Sequence, residues 1–169
     1  LYVIAVPFDI PAINMDTKTL QRAWLGIRFQ TFHYQPLYLS ESTAAYFRAI
    51  WGEPNIHTVK VLPDDEFMQV IGNNEAYWAI MPFEDVPTDW RILSVDSVYP
   101  LDRGLDWDAY ALSATYEISS TSESIDLSPF MYSNFNPDKM SSVLLTGTTA
   151  FVRNLAYEME TQGIDYAIE

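Results

Sequence analysis

The 169-residue chain contains no cysteine, which excludes a disulfide framework, a thiolate metal site and a cysteine nucleophile. Basic residues are scarce: nine Lys and Arg stand against 23 Asp and Glu, for a formal net charge of −14 and a pI near 4.2. That field repels an anionic polymer over most of the surface, so nucleic acid is not an expected partner. The two histidines, His33 and His57, have no His or Cys at ligand spacing, so no metal site is expected. No apolar run approaches the roughly 20 residues of a membrane-spanning helix. The G-x-S-x-G elbow and a glycine-rich phosphate loop are both missing, so nothing in the residues indicates an enzyme or a cofactor. The opening "LYVIAVPF" lacks the basic segment and small-residue cleavage site of a signal peptide, so an exported form is expected to have lost its signal already.

What the chain does have is 49% hydrophobic and 15% aromatic residues, enough for one domain with a bulky core and too little length for two of ordinary size. "LYVIAV" is a continuous apolar run closed by Pro7 and predicts a buried strand. In "MDTKTLQRAWLG", Asp16 is a helix N-cap, Leu20, Ala23 and Trp24 share a face, and Gly26 ends the helix. "PLYLSESTAAYFRAIWG" repeats the plan, with a strand ending near Leu39, Ser40 as N-cap, Ala44, Phe47 and Trp51 on one face, and Gly52 as the stop. "HTVKVLP" predicts a strand and "DDEFMQVIG" a helix capped by Asp64, with Phe67, Val70 and Ile71 inward. "AYWAIMP" and "WRILSVD" predict two further strands around a turn at "FEDVP". In "DAYALSATYEI", Tyr110, Leu112, Ala114 and Tyr116 alternate at period two, which predicts a final long strand. Strands alternating with short helices predict a layered α/β domain with helices on both faces of the sheet.

From Ser119 to about Lys139 the composition turns to Ser, Asn and Pro, as in a linker, with Phe130, Met131, Tyr132 and Phe135 suited to lie against something. Three regions follow: an α/β lobe over 1–118, a linker over 119–140 and a β-α unit over 141–169. In the last, Val143, Leu144 and Leu145 form an apolar strand, and Val152, Leu155, Ala156 and Met159 recur at helical spacing. A detached strand and helix face of this kind suit a second copy of the chain, so Val143, Leu144, Leu145, Val152 and Leu155 are candidate self-association residues.

The strongest candidate ligand site is "SESTAAYF". Ser40, Ser42 and Thr43 stand where a strand passes into a helix, so hydroxyls and free backbone N–H groups converge at a helix N-terminus. Glu41 puts a negative charge in the same turn. The acidic runs "PDDE" (63–66) and "DRGLDWD" (102–108) do not match a calcium loop, which needs oxygen ligands at alternating positions, a central Gly and a terminal Glu.

The order of "LYVIAVPF", "DTKTLQRAWLG", "LYLSESTAAYF" and "AYWAIMPFEDVPTDWRILSVDSVYP" resembles one lobe of the type II periplasmic solute-binding proteins, especially the phosphate-binding branch. That resemblance covers residues 1 to about 118 and implies a small-molecule ligand at Ser40, Ser42 and Thr43. Glu41 replaces the glycine of that branch's anion turn. The segment "LLTGTTAFVRNLAYEMETQGIDYAIE" resembles the first β-α unit of the CapA-type proteins linked to poly-γ-glutamate capsules. Gly147–Thr148 stands where that family's metal motif has Gly-Asp, so the resemblance implies no metal-dependent hydrolysis by this chain.

The reading that follows is a non-enzymatic binding or interaction module of a bacterial cell-envelope or extracellular protein. The alternatives are a self-assembling extracellular protein that uses residues 141–169, and an inactive fragment of a CapA-type enzyme.

Overall fold

The computed structural model describes residues 1–73, 75–102, 104–106, 109–115, 133–139 and 141. The chain divides into two compact units, Leu1–Asp138 and Lys139–Glu169. The candidate self-association residues Val143, Leu144, Leu145, Val152 and Leu155 lie outside the described residues.

In the first unit, strands β1 (Tyr2–Pro7), β3 (Leu37–Ser40), β4 (Val59–Leu62), β5 (Ala79–Pro82) and β6 (Trp90–Ile92) form one sheet in the order β4-β3-β5-β1-β6. A two-residue pair, β2 (Asn14–Met15) with β7 (Ser94–Val95), runs parallel beside it. Helix α1 (Thr17–Trp24) lies between β2 and β3, α2 (Glu41–Trp51) between β3 and β4, and α3 (Asp64–Gly72) between β4 and β5. Strand β3 is parallel to β4 and β5, whereas β1 runs antiparallel to both of its neighbours, β5 and β6.

Alternation along the strands divides the core in two. Ile4, Val6, Leu37, Leu39 and Ile80 pack with Leu20, Ala23 and Trp24 of α1 and Ala44 and Phe47 of α2. Val3, Ala5, Tyr38, Ala79 and Met81 pack on the other side with Phe67 and Ile71 of α3. The mixed α/β sheet therefore carries helices on both faces, as expected from the strand and helix order.

Local signals act as the sequence predicts at α1 and α2. The Asp16 carboxylate accepts from the Thr19 amide at 2.8 Å, and Gly26 takes a φ of +120° that side chains disfavour, with the Asn55 amide 2.9 Å from where a Cβ would stand. At α3 the structure corrects the prediction. Asp64 is the first helical residue rather than the cap, Pro63 precedes it without a side-chain cap, and the Asp64 carboxylate is used elsewhere. "WRILSVD" divides into β6 and β7, which pair with different strands.

The predicted long strand at 108–118 is also corrected over 109–115; Asp108 and Tyr116–Ile118 lie outside the described residues. Residues 109–115 form turns joined to the sheet by one backbone hydrogen bond, Tyr2 N–H to Leu112 C=O at 3.1 Å. Tyr110 and Leu112 are buried all the same, so the alternation reported burial without strand pairing. Phe135 is likewise buried, edge-on to Phe83 with ring centroids 4.9 Å apart.

Asp96 and Ser97 have φ of +50° and +66° in a tight turn closed by the Val95 and Val98 backbone groups, a conformation that usually calls for Asn-Gly. Asp96 serves a purpose there, since its carboxylate accepts from the backbone N–H and the hydroxyl of Thr17 at the start of α1. Ser97 donates its backbone N–H to the Asn14 side chain. Ser97→Gly is therefore expected to raise stability by about 1 kcal/mol, read as a higher urea midpoint with an unchanged slope.

The Tyr110 hydroxyl is buried without a hydrogen-bond partner among the described residues, and burial pushes its phenol well above the ordinary pKa. An orphaned buried hydroxyl costs about 1–3 kcal/mol. Tyr110→Phe is expected to stabilise the fold by about 1 kcal/mol in chemical denaturation; a loss of stability would show that the hydroxyl is satisfied.

Candidate functional site

Three parallel strands, β3, β4 and β5, end on one edge of the sheet, and in open α/β sheets the crevice outside such carboxyl ends is where ligands bind. Register assembles the groups found there. Ser40 closes β3 and is paired with Leu62 at the end of β4, so Asp64, two residues further on, arrives at the first turn of α2. Strand β1 begins at the same edge, because its antiparallel course pairs Tyr2 with Pro82 at the end of β5.

Ser40, Ser42 and Thr43, the predicted ligand residues, are brought together. The Ser40 hydroxyl accepts from the Thr43 amide at 3.2 Å and donates to Thr43 Oγ1 at 3.0 Å. It also lies 3.0 Å from the Ser42 hydroxyl. Ser40 and Thr43 are buried, whereas Ser42 is exposed. Ser40 is thus the helix cap and Thr43 packs beneath it, which leaves Ser42 as the hydroxyl facing outward.

Sequence reasoning did not assign Asp64 to this site. Its Oδ1 accepts from the Ser42 backbone N–H at 3.2 Å and from the Ser42 hydroxyl at 3.0 Å. These bonds, led by the backbone N–H, hold the Asp64 carboxyl below its ordinary value. A carboxylate of the chain itself therefore occupies the anion position at the N-terminus of α2. Only the pairing of β3 with β4 brings Asp64 there, and nothing in the spacing of residues 40 and 64 signals it.

Asp85, in the single 3₁₀ turn Phe83–Asp85 after β5, has the opposite tendency. Burial first, and then the charge of Asp64, raise its carboxyl. A cavity of about 280 Å³ opens at the start of β1 and the end of β5, lined by Leu1, Tyr2, Pro82, Glu84, Ala114, Ser133 and Asn134. The serine turn does not line it. The two are tied through Tyr2, whose ring stacks at 5.1 Å on Tyr46 of α2, three residues beyond Thr43.

The acidic run at 63–66 thus contributes Asp64 to the site, while Asp65 and Glu66 are exposed in the first turn of α3. Among the described residues no group of three His, Cys, Asp or Glu side chains is placed to hold a metal ion. None of their helices is long and apolar enough to cross a membrane. No protein-family model matches this chain, and no curated protein or solved structure matches it.

The depressed pKa fixes the sign of the acid response. Any stability the ionised Asp64 contributes is present above its ordinary value of 3.8 and is lost as pH falls through the lowered folded value. The Ser42 amide resonance is expected to titrate with a midpoint below 3.8, and Asp64→Asn should abolish that transition. A midpoint at or above the ordinary value would show that the carboxylate does not hold Ser42 in solution.

Proposed function

We propose that the Leu1–Asp138 unit is a non-enzymatic binding module of a bacterial cell-envelope or extracellular protein, with its small-molecule site at the carboxyl edge around Ser40, Ser42 and Thr43. The observation that carries this reading is the Asp64 carboxylate on the Ser42 amide and hydroxyl. It gives the edge an outward acceptor beside an exposed hydroxyl, at the place where α/β sheets bind their ligands. The resemblance of residues 1–118 to a solute-binding lobe supports both the class and the location.

The same observation narrows the ligand. An oxyanion would have to displace Asp64 from the Ser42 amide and meet the negative charges of Glu41 and Asp64. Hydroxyl and ammonium groups meet acceptors there instead, so a polyol or an amine-bearing solute suits the edge better than phosphate. A single lobe supplies only one side of a clamp, so affinity is expected to be weak.

Titration of the full chain with sugars, amino acids, polyamines and oxyanions, followed by amide chemical shifts, tests the proposal. A polyol or amine ligand is expected to move the Ser42 and Thr43 resonances. Ser42→Ala or Asp64→Asn should weaken that response about tenfold or more, the loss of roughly one hydrogen bond to a charged group. Silence of those resonances across the whole panel would overturn the ligand site.

A further inference from the structure

Away from the carboxyl edge, exposed apolar side chains cluster where α1 and α2 end. Helices α1 and α2 finish side by side there: Trp24 meets Trp51 edge-on at 5.5 Å and donates its indole N–H to Gly52 C=O at 2.9 Å. Between the two helix ends lies a groove of about 180 Å³ lined by Gln21, Trp24, Leu25, Ile50 and Trp51. Leu25 is 69% exposed and Ile50 52%. The loop after α2 extends this surface, because the Asn55 amide donates to Trp24 C=O at 2.8 Å and Arg28 donates to His57 C=O at 2.7 Å. Ile56, between them, is 84% exposed.

The two helices that bound this groove each carry a basic residue in the last turn, in a chain of net charge −14. Arg22 occupies the last turn of α1, next to the lining residue Gln21. Arg28 follows just after α1, and Arg48 occupies the last turn of α2, paired with Glu53 at 3.2 Å. The opposite end of the lobe is acidic, with Glu41 in the first turn of α2 and Asp64, Asp65 and Glu66 in the first turn of α3. Met68 adds an exposed apolar side chain to α3.

We propose that this groove seats the acidic carboxyl-edge end of a second copy of the chain, through the first turn of its α3. Charge complementarity selects this partner surface. Two grooves facing each other would set Arg22 and Arg28 against their own copies, so the contact is head-to-tail rather than isologous. A head-to-tail contact leaves a groove free at one end of a pair and an acidic turn free at the other, so assembly continues beyond the dimer unless the rotation closes a ring.

The test is sedimentation velocity of the full chain over a wide concentration range, at low salt and at about 1 M salt, where charge attraction beyond about 3 Å is screened. A groove variant, Leu25→Glu with Ile56→Glu, and an edge variant, Asp65→Asn with Glu66→Gln, change exposed positions only, and circular dichroism checks that each keeps its fold. The unmodified chain is expected to sediment faster with rising concentration at low salt and to lose at least half of that shift at high salt. Each variant alone should remain monomeric. An equimolar mixture should stop at a heterodimer, because only one complementary pair of surfaces survives. A chain that is monomeric at every concentration would overturn the proposal. So would a groove variant that assembles like the unmodified chain, or an edge variant that does. The readout is assembly and not ligand response, so this contact and the ligand site fail independently.

Discussion

Burial of strand β1 on both faces is the constraint on which the rest of the Leu1–Asp138 unit depends. Val3, Ile4, Ala5 and Val6 are wholly inaccessible, and alternate residues feed opposite halves of the core. The backbone on each side is committed as well, to β5 on one side and β6 on the other. A strand so placed has no tolerance for register error, since a one-residue slip would exchange the side chains that face α3 with those that face α1 and α2. Its direction matters equally. Because β1 runs against its neighbours, the chain enters the sheet at the edge where the parallel strands end, and Tyr2 reaches the wall of the cavity there.

Once β3, β4 and β5 run parallel, helices α2 and α3 both begin at the carboxyl edge, and their free amides face the same crevice. The charges follow the helix dipoles: acids fill the first turns of α2 and α3, while Arg22 and Arg48 fill the last turns of α1 and α2. The result is a sheet with acidic helix starts at one edge and basic helix ends at the other. Helix α2 spans about 16 Å between them at 1.5 Å per residue.

Local chemistry was legible where a signal and its effect lie within a few residues. The caps at Asp16 and Ser40 and the inward faces of α1 and α2 follow from spacing alone, because helix geometry ties position i to i+3 and i+4. The mixed sheet was not legible: "LYVIAV" reads as a buried strand in either direction, and only its pairing decides that it is antiparallel. The stretch from Tyr110 to Ala114 was misleading, because period-two burial is also produced by a turn packed on a core. In the candidate site, Ser40, Ser42 and Thr43 were legible as a cap and polar turn. Asp64 was not, since its local reading as a cap for α3 competes with a partner 22 residues earlier in the chain.

That exchange of roles at Asp64 decides which groups the edge presents. Capping its own helix would have left the Ser42 amide open and the N-terminus of α2 ready for an external anion. Pro63 removes that need, because it supplies the turn into α3 with a φ of −49° and ψ of 146°, and α3 gains favourable dipole interactions from Asp64, Asp65 and Glu66 without a side-chain cap. The Asp64 carboxylate is then free to cross to α2. A motif that would attract oxyanions when read in isolation becomes, through one strand pairing, a surface of hydroxyls and carboxylates suited to hydrogen-bond donors and cations. The acidity of the whole chain acts in the same direction, since a long-range negative field lowers the local concentration of anions and raises that of cationic solutes at this edge.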